Sequence, residues 1–437
     1  MRFTSTRNKV DTVGFAQAVL DCMPSDGGYY VPADTEDLRR WILYTDENTT
    51  FASIAGTLTS AFIKDEFSPI ICETIATKAF PFEPVMRRLD DTYFMLELFH
   101  GPTGYHRDFG ISYLVSCLET ILQMRDSTAM FLSVTRAELG SVLAHELKDK
   151  KRIKAVVVYP KGTVHGMQDS DYVWNGGNIY PVEIEGSEAD CRAFVRNIFR
   201  DHEFVAANRL TVANTANIGR LLPQAFFYPF AFSRLKNKTA GDIYYALAPG
   251  NYSNVVAGLY SWQFALPLNG FLTPATDALT VDAMGNCVLL DSVIPLNKRD
   301  PADPIDPSNL ERLEDVFSAN KLMMRNFIYP VKLTDALIDS AAKELFIKYH
   351  VYADRHTARA FAAAKANEEM VKEDAGTVVL VARDHPSLSA DYMQHTLGEV
   401  PEMPENINAV LRHVSLNKPV IRTVEELRKI IIYINKL

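Results

Sequence analysis

From residue 93 onward the sequence alternates short β-rich runs with longer stretches of helical periodicity, and this alternation restricts the fold more than any other feature. The runs YFMLELF, AMFLSV, IKAVVVYP, IYPVEI and DIYYALA are interleaved with ISYLVSCLETILQM, GSVLAHELKD and DCRAFVRNIFRD. Strands separated by helices do not pair as hairpins, so the pattern predicts an α/β protein built on parallel sheet. Residues 15–75 read differently. There FAQAVLDCM and FASIAGTLTSAFIKD are amphipathic helical stretches on either side of a turn, DGGYYVP, which predicts a mostly helical N-terminal portion. The proline-rich segment 293–309, VIPLNKRDPADPIDPSN, is expected to be a loop, and long loops in compact domains often lie near sites. Further α/β sequence follows in ALIDSAAKELFIKYH, HTARAFAAAKANEE and TVVLVARD, and the terminal IIIYINKL suits a buried strand or helix end.

A chain of 437 residues has material for two to four domains, and 47% hydrophobic with 23% charged residues is ordinary for a folded protein. The net charge of −9 gives no general attraction to polyanions, so no nucleic-acid partner is expected. Cys22, Cys72, Cys117, Cys191 and Cys287 form no C-x-x-C pair, which argues against a disulfide framework or a cysteine zinc site and fits a reducing cytoplasm. The start MRFTSTRNKV is charged where a signal peptide would be apolar, and no window approaches ~18 consecutive apolar residues, so no membrane partner is expected. His145-Glu146 lacks a second histidine one turn on, and no metal site is predicted.

Common nucleotide-binding and hydrolase motifs are absent, but small polar clusters recur where strand patterns give way to helical ones. In APGNYSNVVAGLY, which follows IYYAL, Gly250, Asn251, Ser253 and Asn254 are placed to present backbone N–H groups to an anion. The same composition serves any strand-to-helix turn, so both readings stand at this point.

Taken in order, the clusters resemble the threonine synthase family. The matching segments are STR (5–7), DGGYYVP (26–32), ELFHGPT (97–103), YPKG (159–162), GGN (176–178) and ANTANIGRLLPQ (213–224). PGNYSN (249–254), DPSNLER (306–312), DRHTA (354–358) and DHP (384–386) continue the series. The resemblance implies a tryptophan-synthase-β-like fold, fold type II among pyridoxal-phosphate enzymes. It implies an N-terminal domain over residues 1–92 and a catalytic core over 93–437, with a small α/β subdomain at about 108–212. The implied reaction converts O-phospho-L-homoserine and water to L-threonine and phosphate, with pyridoxal phosphate as cofactor.

Where the family reads F-K-D-F-G, this chain reads H-R-D-F-G, so the resemblance places Arg107 at the imine-forming lysine. A guanidinium stays protonated and offers no free amine to an aldehyde, so covalent attachment of the cofactor is not expected. The family's T-S-G-D-T-G-S loop is here Thr135, Arg136, Ala137, Glu138, Leu139, Gly140 and Ser141, and its A-T-A-H-P is A-R-D-H-P with Arg383 at the threonine. In the phosphate loop Tyr252 and Ser253 replace phenylalanine and glycine, a change with a backbone cost if that glycine needed positive φ. By resemblance the cofactor-contacting set is Gly250, Asn251, Tyr252, Ser253, Asn254 and Arg383. The substrate or anion set is Thr135, Gly140, Ser141, Lys161, Asn217 and Arg220, with buried ion pairing or solvated-loop roles as the alternatives for Arg220 and Lys161. The expected ligand is a small molecule bearing phosphate or carboxylate. A catalytically degenerate paralogue binding such a metabolite, or a protein partner, is the alternative reading.

Overall fold

The computed structural model describes residues 1–135, 138–239, 241–290, 294–317 and 321–437; Arg136, Ala137 and Val293, named above, lie outside the described residues. Near the N-terminus, β1 (Phe3–Ser5), β2 (Thr12–Val13) and β3 (Tyr30–Pro32) form a small antiparallel sheet in the order β2-β1-β3, which the helical reading of this portion did not include. The two amphipathic stretches fold as helices Phe15–Asp21 and Phe51–Ile63.

The main sheet begins with β4 (Val85–Arg88) and β5 (Tyr93–Glu97), an antiparallel pair, so the first 92 residues contribute one strand to the core. The chain then crosses to β6 (Ala129–Val134), β7 (Ile153–Pro160), β8 (Ile179–Ile184) and β9 (Leu210–Thr211), which form a parallel sheet in the order β8-β7-β6-β9. It returns with β10 (Ile243–Ala246) and β11 (Gly270–Pro274), detours through the hairpin β12 (Leu279–Val281) and β13 (Cys287–Leu289), and adds β14 (Ile328–Val331) and β15 (Thr377–Ala382). The main sheet order is β14-β11-β10-β15-β5-β4, parallel except at β4. Every residue of β15 is buried, as a strand covered by helices on both faces requires.

The crossing between sheets is the helix Arg107–Met124, and its start is fixed by packing. Phe109 meets Phe51, Phe82 and Phe227 edge-on at centroid distances of 5.3, 4.9 and 5.1 Å, which locks the first turn of this helix against the helices Phe51–Ile63 and Phe227–Leu235. IIIYINKL resolves as the end of a helix, Val424–Lys436, capped by Thr423, whose Leu427, Ile431 and Ile434 pack with Val195 and Ile198 of the helix Glu188–Phe199. No helix of the described residues is long and apolar enough to cross a membrane.

Candidate functional site

Three neighbouring parallel strands, β10, β15 and β5, deliver their C-terminal ends to one edge of the main sheet. At about 4.8 Å between strands the outer two lie about 10 Å apart, the width of a small molecule. After β10 comes the turn 249–254, after β15 come Arg383 and Asp384, and after β5 the chain reaches His106, Arg107 and Asp108. A bridge between Tyr105 and Asp384 ties the last two segments together.

Asp384 accepts from His106 twice, from the backbone N–H at 3.2 Å and with Nδ1 at 2.6 Å. Burial alone would raise the Asp384 carboxyl, but His106, Arg383 and Arg107 outweigh it and hold the group well below the usual carboxylate range. Burial and the charge of Arg383 push His106 down to about 3, so it is neutral at pH 7. Asp108 accepts from the N–H and Oγ1 of Thr103 at 2.9 and 2.6 Å, and burial nevertheless lifts it to about 7. From the helix Arg355–Ala366, Asp354 caps the first turn at Thr357 N, 2.7 Å, and burial with the nearby Asp384 raises it to about 6. His356 falls to about 4 through burial and Arg383.

Arg220 joins this cluster from the short helix Ile218–Leu221. It is 5% exposed, and its guanidinium has no hydrogen-bonded or ion-paired partner among the described residues. Burial, then the positive charges of Arg107 and Arg383, push it down to about 9, with Asp108 only partly compensating. Gly110 makes room for it: a Cβ there would lie 1.9 Å from Arg220 Nη1. Arg383 Nε is buried and unpartnered, and a Cβ on Gly250 would meet Arg383 Nη1, at 3.7 Å, and nothing nearer.

The turn itself is held from behind. Asn251 donates to Thr215 Oγ1 at 2.9 Å, and Asn309 donates to Thr215 Oγ1 at 3.0 Å and to the Asn251 carbonyl at 3.1 Å. Ser253 begins the helix Ser253–Gln263 and donates to Gln224 at 3.2 Å. Positive φ falls on Tyr252, +61°, so serine at 253 carries no backbone cost; Tyr252 is fixed by a hydroxyl contact with Thr276. Asn254 Oδ1 accepts from Val255 N, and its carbonyl accepts from Tyr228.

The other residues singled out from sequence are engaged elsewhere. Asn217 is fully buried as the cap of Ile218–Leu221, donating to Val19 O and Thr211 Oγ1 and accepting from Gly219 N, which leaves its amide no free N–H for an anion. Lys161 is exposed and pairs with Glu185 at 3.4 Å. Thr135 Oγ1 accepts from Leu139 N, Ser141 Oγ points to the Val410 and His165 carbonyls, and Gly140 lies under the Tyr159 hydroxyl. His106, Asp354 and His356, which sequence reasoning gave no role, belong to the cluster; the last two lie in the DRHTA segment, which was the available signal.

The segments STR, DGGYYVP and DPSNLER meet one another in a structural tie. Arg7 and Thr6 bind Glu311, at 2.6 and 2.9 Å, while Arg312 donates to the Tyr30 carbonyl at 3.0 Å and lies over the Tyr29 ring.

Residues 2–80 match the family model for the threonine synthase N terminus. The threonine synthase of Escherichia coli is 26% identical over 408 residues, covering 93% of this chain and 94% of that protein. The crystal structure of threonine synthase from the same organism superposes with a TM-score of 0.79 at 25% identity, covering 99% of this chain and all of that one. A PLP-bound threonine synthase from Brucella melitensis gives a TM-score of 0.82 at 20% identity over the full length of both chains, a likeness of fold.

Proposed function

Since the chain belongs to the threonine synthase family, we propose that it is a threonine synthase-like protein whose cleft takes a small phosphate- or carboxylate-bearing molecule but does not run the family reaction through a lysine imine. One observation carries this reading. Among the described residues, the charge of Arg107 reaches His106, Arg220, His356 and Asp384, with Asp108, Asp354 and Arg383 coupled to these groups, and none of them is a primary amine. The residues present therefore do not fit pyridoxal phosphate held as an imine. Arg107 is also a poor proton shuttle, because a group ionised at every working pH neither accepts nor returns a proton readily. What the cleft keeps is positive charge and an amide-bearing turn, which suit noncovalent recognition of an oxyanion. The five cysteines, all buried free thiols, support the expectation of a reducing compartment such as the cytoplasm.

The test is direct. Purified protein incubated with pyridoxal phosphate and reduced with borohydride is expected to yield no pyridoxyl-lysine peptide above the level of exposed lysines, and to release no phosphate from O-phospho-L-homoserine. Arg107→Lys is expected to gain the labelled peptide at position 107. Phosphate release by the native chain together with a labelled lysine would end this reading.

A further inference from the structure

Two departures from the family's motifs lie against each other. Where F-K-D-F-G and A-T-A-H-P have phenylalanine and alanine, this chain has His106 and Asp384, 278 residues apart. Neither family residue can make a side-chain hydrogen bond, whereas their replacements bond each other, His106 Nδ1 to Asp384 Oδ1 at 2.6 Å. The backbone holds the two segments in register. Asp384 Oδ1 also accepts from the His106 backbone N–H at 3.2 Å, His385 N donates to the Gly104 carbonyl at 2.8 Å, and Tyr105 bridges Asp384. A phenylalanine and an alanine pack such a corner without electrostatic cost, while a carboxylate drawn out of water carries a desolvation penalty. Packing alone therefore gives no reason for this pair.

Its chemistry gives one. An ionised carboxylate only accepts, so the bond to Asp384 places the imidazole proton on Nδ1. Burial of the ring and the positive charges of Arg383 and Arg107 oppose a second proton, which leaves Nε2 with a bare lone pair. Nε2 has no hydrogen-bonded partner among the described residues. The His106 and Asp384 side chains keep 16% and 15% of their surface exposed, so the pair is not sealed off from a ligand. An ammonium donor would bring another cation to Arg107 and Arg383, whereas a hydroxyl brings none.

We propose that Asp384 is a positioning residue that fixes His106 in its Nδ1–H tautomer, and that His106 Nε2 accepts a hydroxyl hydrogen from the anion the cleft binds. The inference rests on the reading of the cleft as an anion site and narrows its ligand to hydroxylated oxyanions.

The first measurement is NMR of the full chain at pH 8 with 15N-labelled histidine, His106 being assigned by its loss in His106→Phe. Protonated Nδ1 and unprotonated Nε2 are expected, and Asp384→Ala is expected to release the ring to a mixture of tautomers. The second is calorimetry at the same pH and equal ionic strength, comparing glycolate with acetate and hydroxymethylphosphonate with methylphosphonate. Within each pair the charge is nearly constant and a hydroxyl is the difference. The native chain is expected to favour the hydroxylated member of at least one pair about fivefold, the worth of one neutral hydrogen bond. The pair that shows the preference identifies a carboxylate or a phosphorus oxyanion as the head group. The preference is expected to vanish in His106→Phe and to weaken in Asp384→Ala. His106→Phe with Asp384→Ala, which restores the family's apolar pair, is expected to match His106→Phe alone, since two residues acting as a unit are not additive.

A dominant Nε2–H tautomer in the native chain would overturn the assignment, as would a hydroxyl preference that survives His106→Phe. Binding without preference in either pair ends this assignment alone, whereas binding of none of the four anions ends the anion-cleft reading together with it. Neither measurement depends on borohydride trapping, so failure of the imine-free reading is seen separately.

Discussion

Arg312→Ala is expected to remove about 3–5 kcal/mol of folding free energy, enough to leave little soluble protein. Arg312 is completely buried, and its guanidinium bonds the carbonyls of Tyr30, Thr215 and Ala216 and the Asn309 side chain while its face rests on Tyr29, 4.6 Å from Cζ to the ring centre. Truncation leaves four acceptors without donors in a space closed to water, and each costs about 1–3 kcal/mol less whatever local relaxation recovers. Arg312→Lys is expected to lose most of the same stability, because one ammonium cannot reach acceptors arranged around a planar fork. Urea unfolding, or soluble yield where the variant does not survive purification, measures the effect. A loss under about 1 kcal/mol would show that the network is dispensable. Because Thr215 and Asn309 also hold Asn251, any surviving variant should bind anions more weakly as well.

Asp384→Asn is expected to cost about 3 kcal/mol at pH 7, since it strips a carboxylate from beside His106, Arg383 and Arg107. Asp384 contributes its full stabilisation above the unfolded carboxyl pKa of about 4 and loses it progressively as pH falls below that value toward the depressed native pKa. The gap between variant and native chain should therefore persist from pH 7 to pH 4.5. His106 and His356 act in the same direction: with native pKa values near 3 and 4, they take up protons more readily when unfolded, so stability falls as pH drops below about 6.5. Asp108 and Asp354 have the opposite sign. Raised to about 7 and about 6, they favour the fold while neutral, and that contribution is lost as pH rises from about 4 through those values. Urea titrations at pH 4.5 and 7 check the comparison; a gap that closes at pH 4.5 would contradict the assignment of Asp384 as the ionised partner.

Much of the scaffold was legible because its periodicities are local. IKAVVVYP and IYPVEI are strands over their full length, Ile153–Pro160 and Ile179–Ile184, since a buried parallel strand is written as a continuous apolar run. The strands Phe3–Ser5, Thr12–Val13 and Tyr30–Pro32 were not legible: two or three residues each carry no period, and their pairing is set by contacts up to 29 residues apart. At the site, the composition of the turn 249–254 indicated a strand-to-helix junction, but not that Tyr252 would carry the left-handed conformation. Asn217 and Arg220 sit three residues apart in one motif with opposite fates, one consumed by its own helix and the other left without an acceptor. That difference depends on Gly110 and Val19, more than 100 residues away in sequence. The pairing of His106 with Asp384 likewise joins residues 278 apart, visible only once β5 and β15 are neighbours.

Arg383 and Asp384 stand directly beyond the last rung of β15, and His106 and Arg107 on the stretch that leads from β5 into its helix, while the rungs themselves are made by main-chain atoms. Side chains at these corners can therefore be exchanged one at a time without disturbing the register of the sheet, so a scaffold like this tolerates a change of ligand far more readily than a change of architecture.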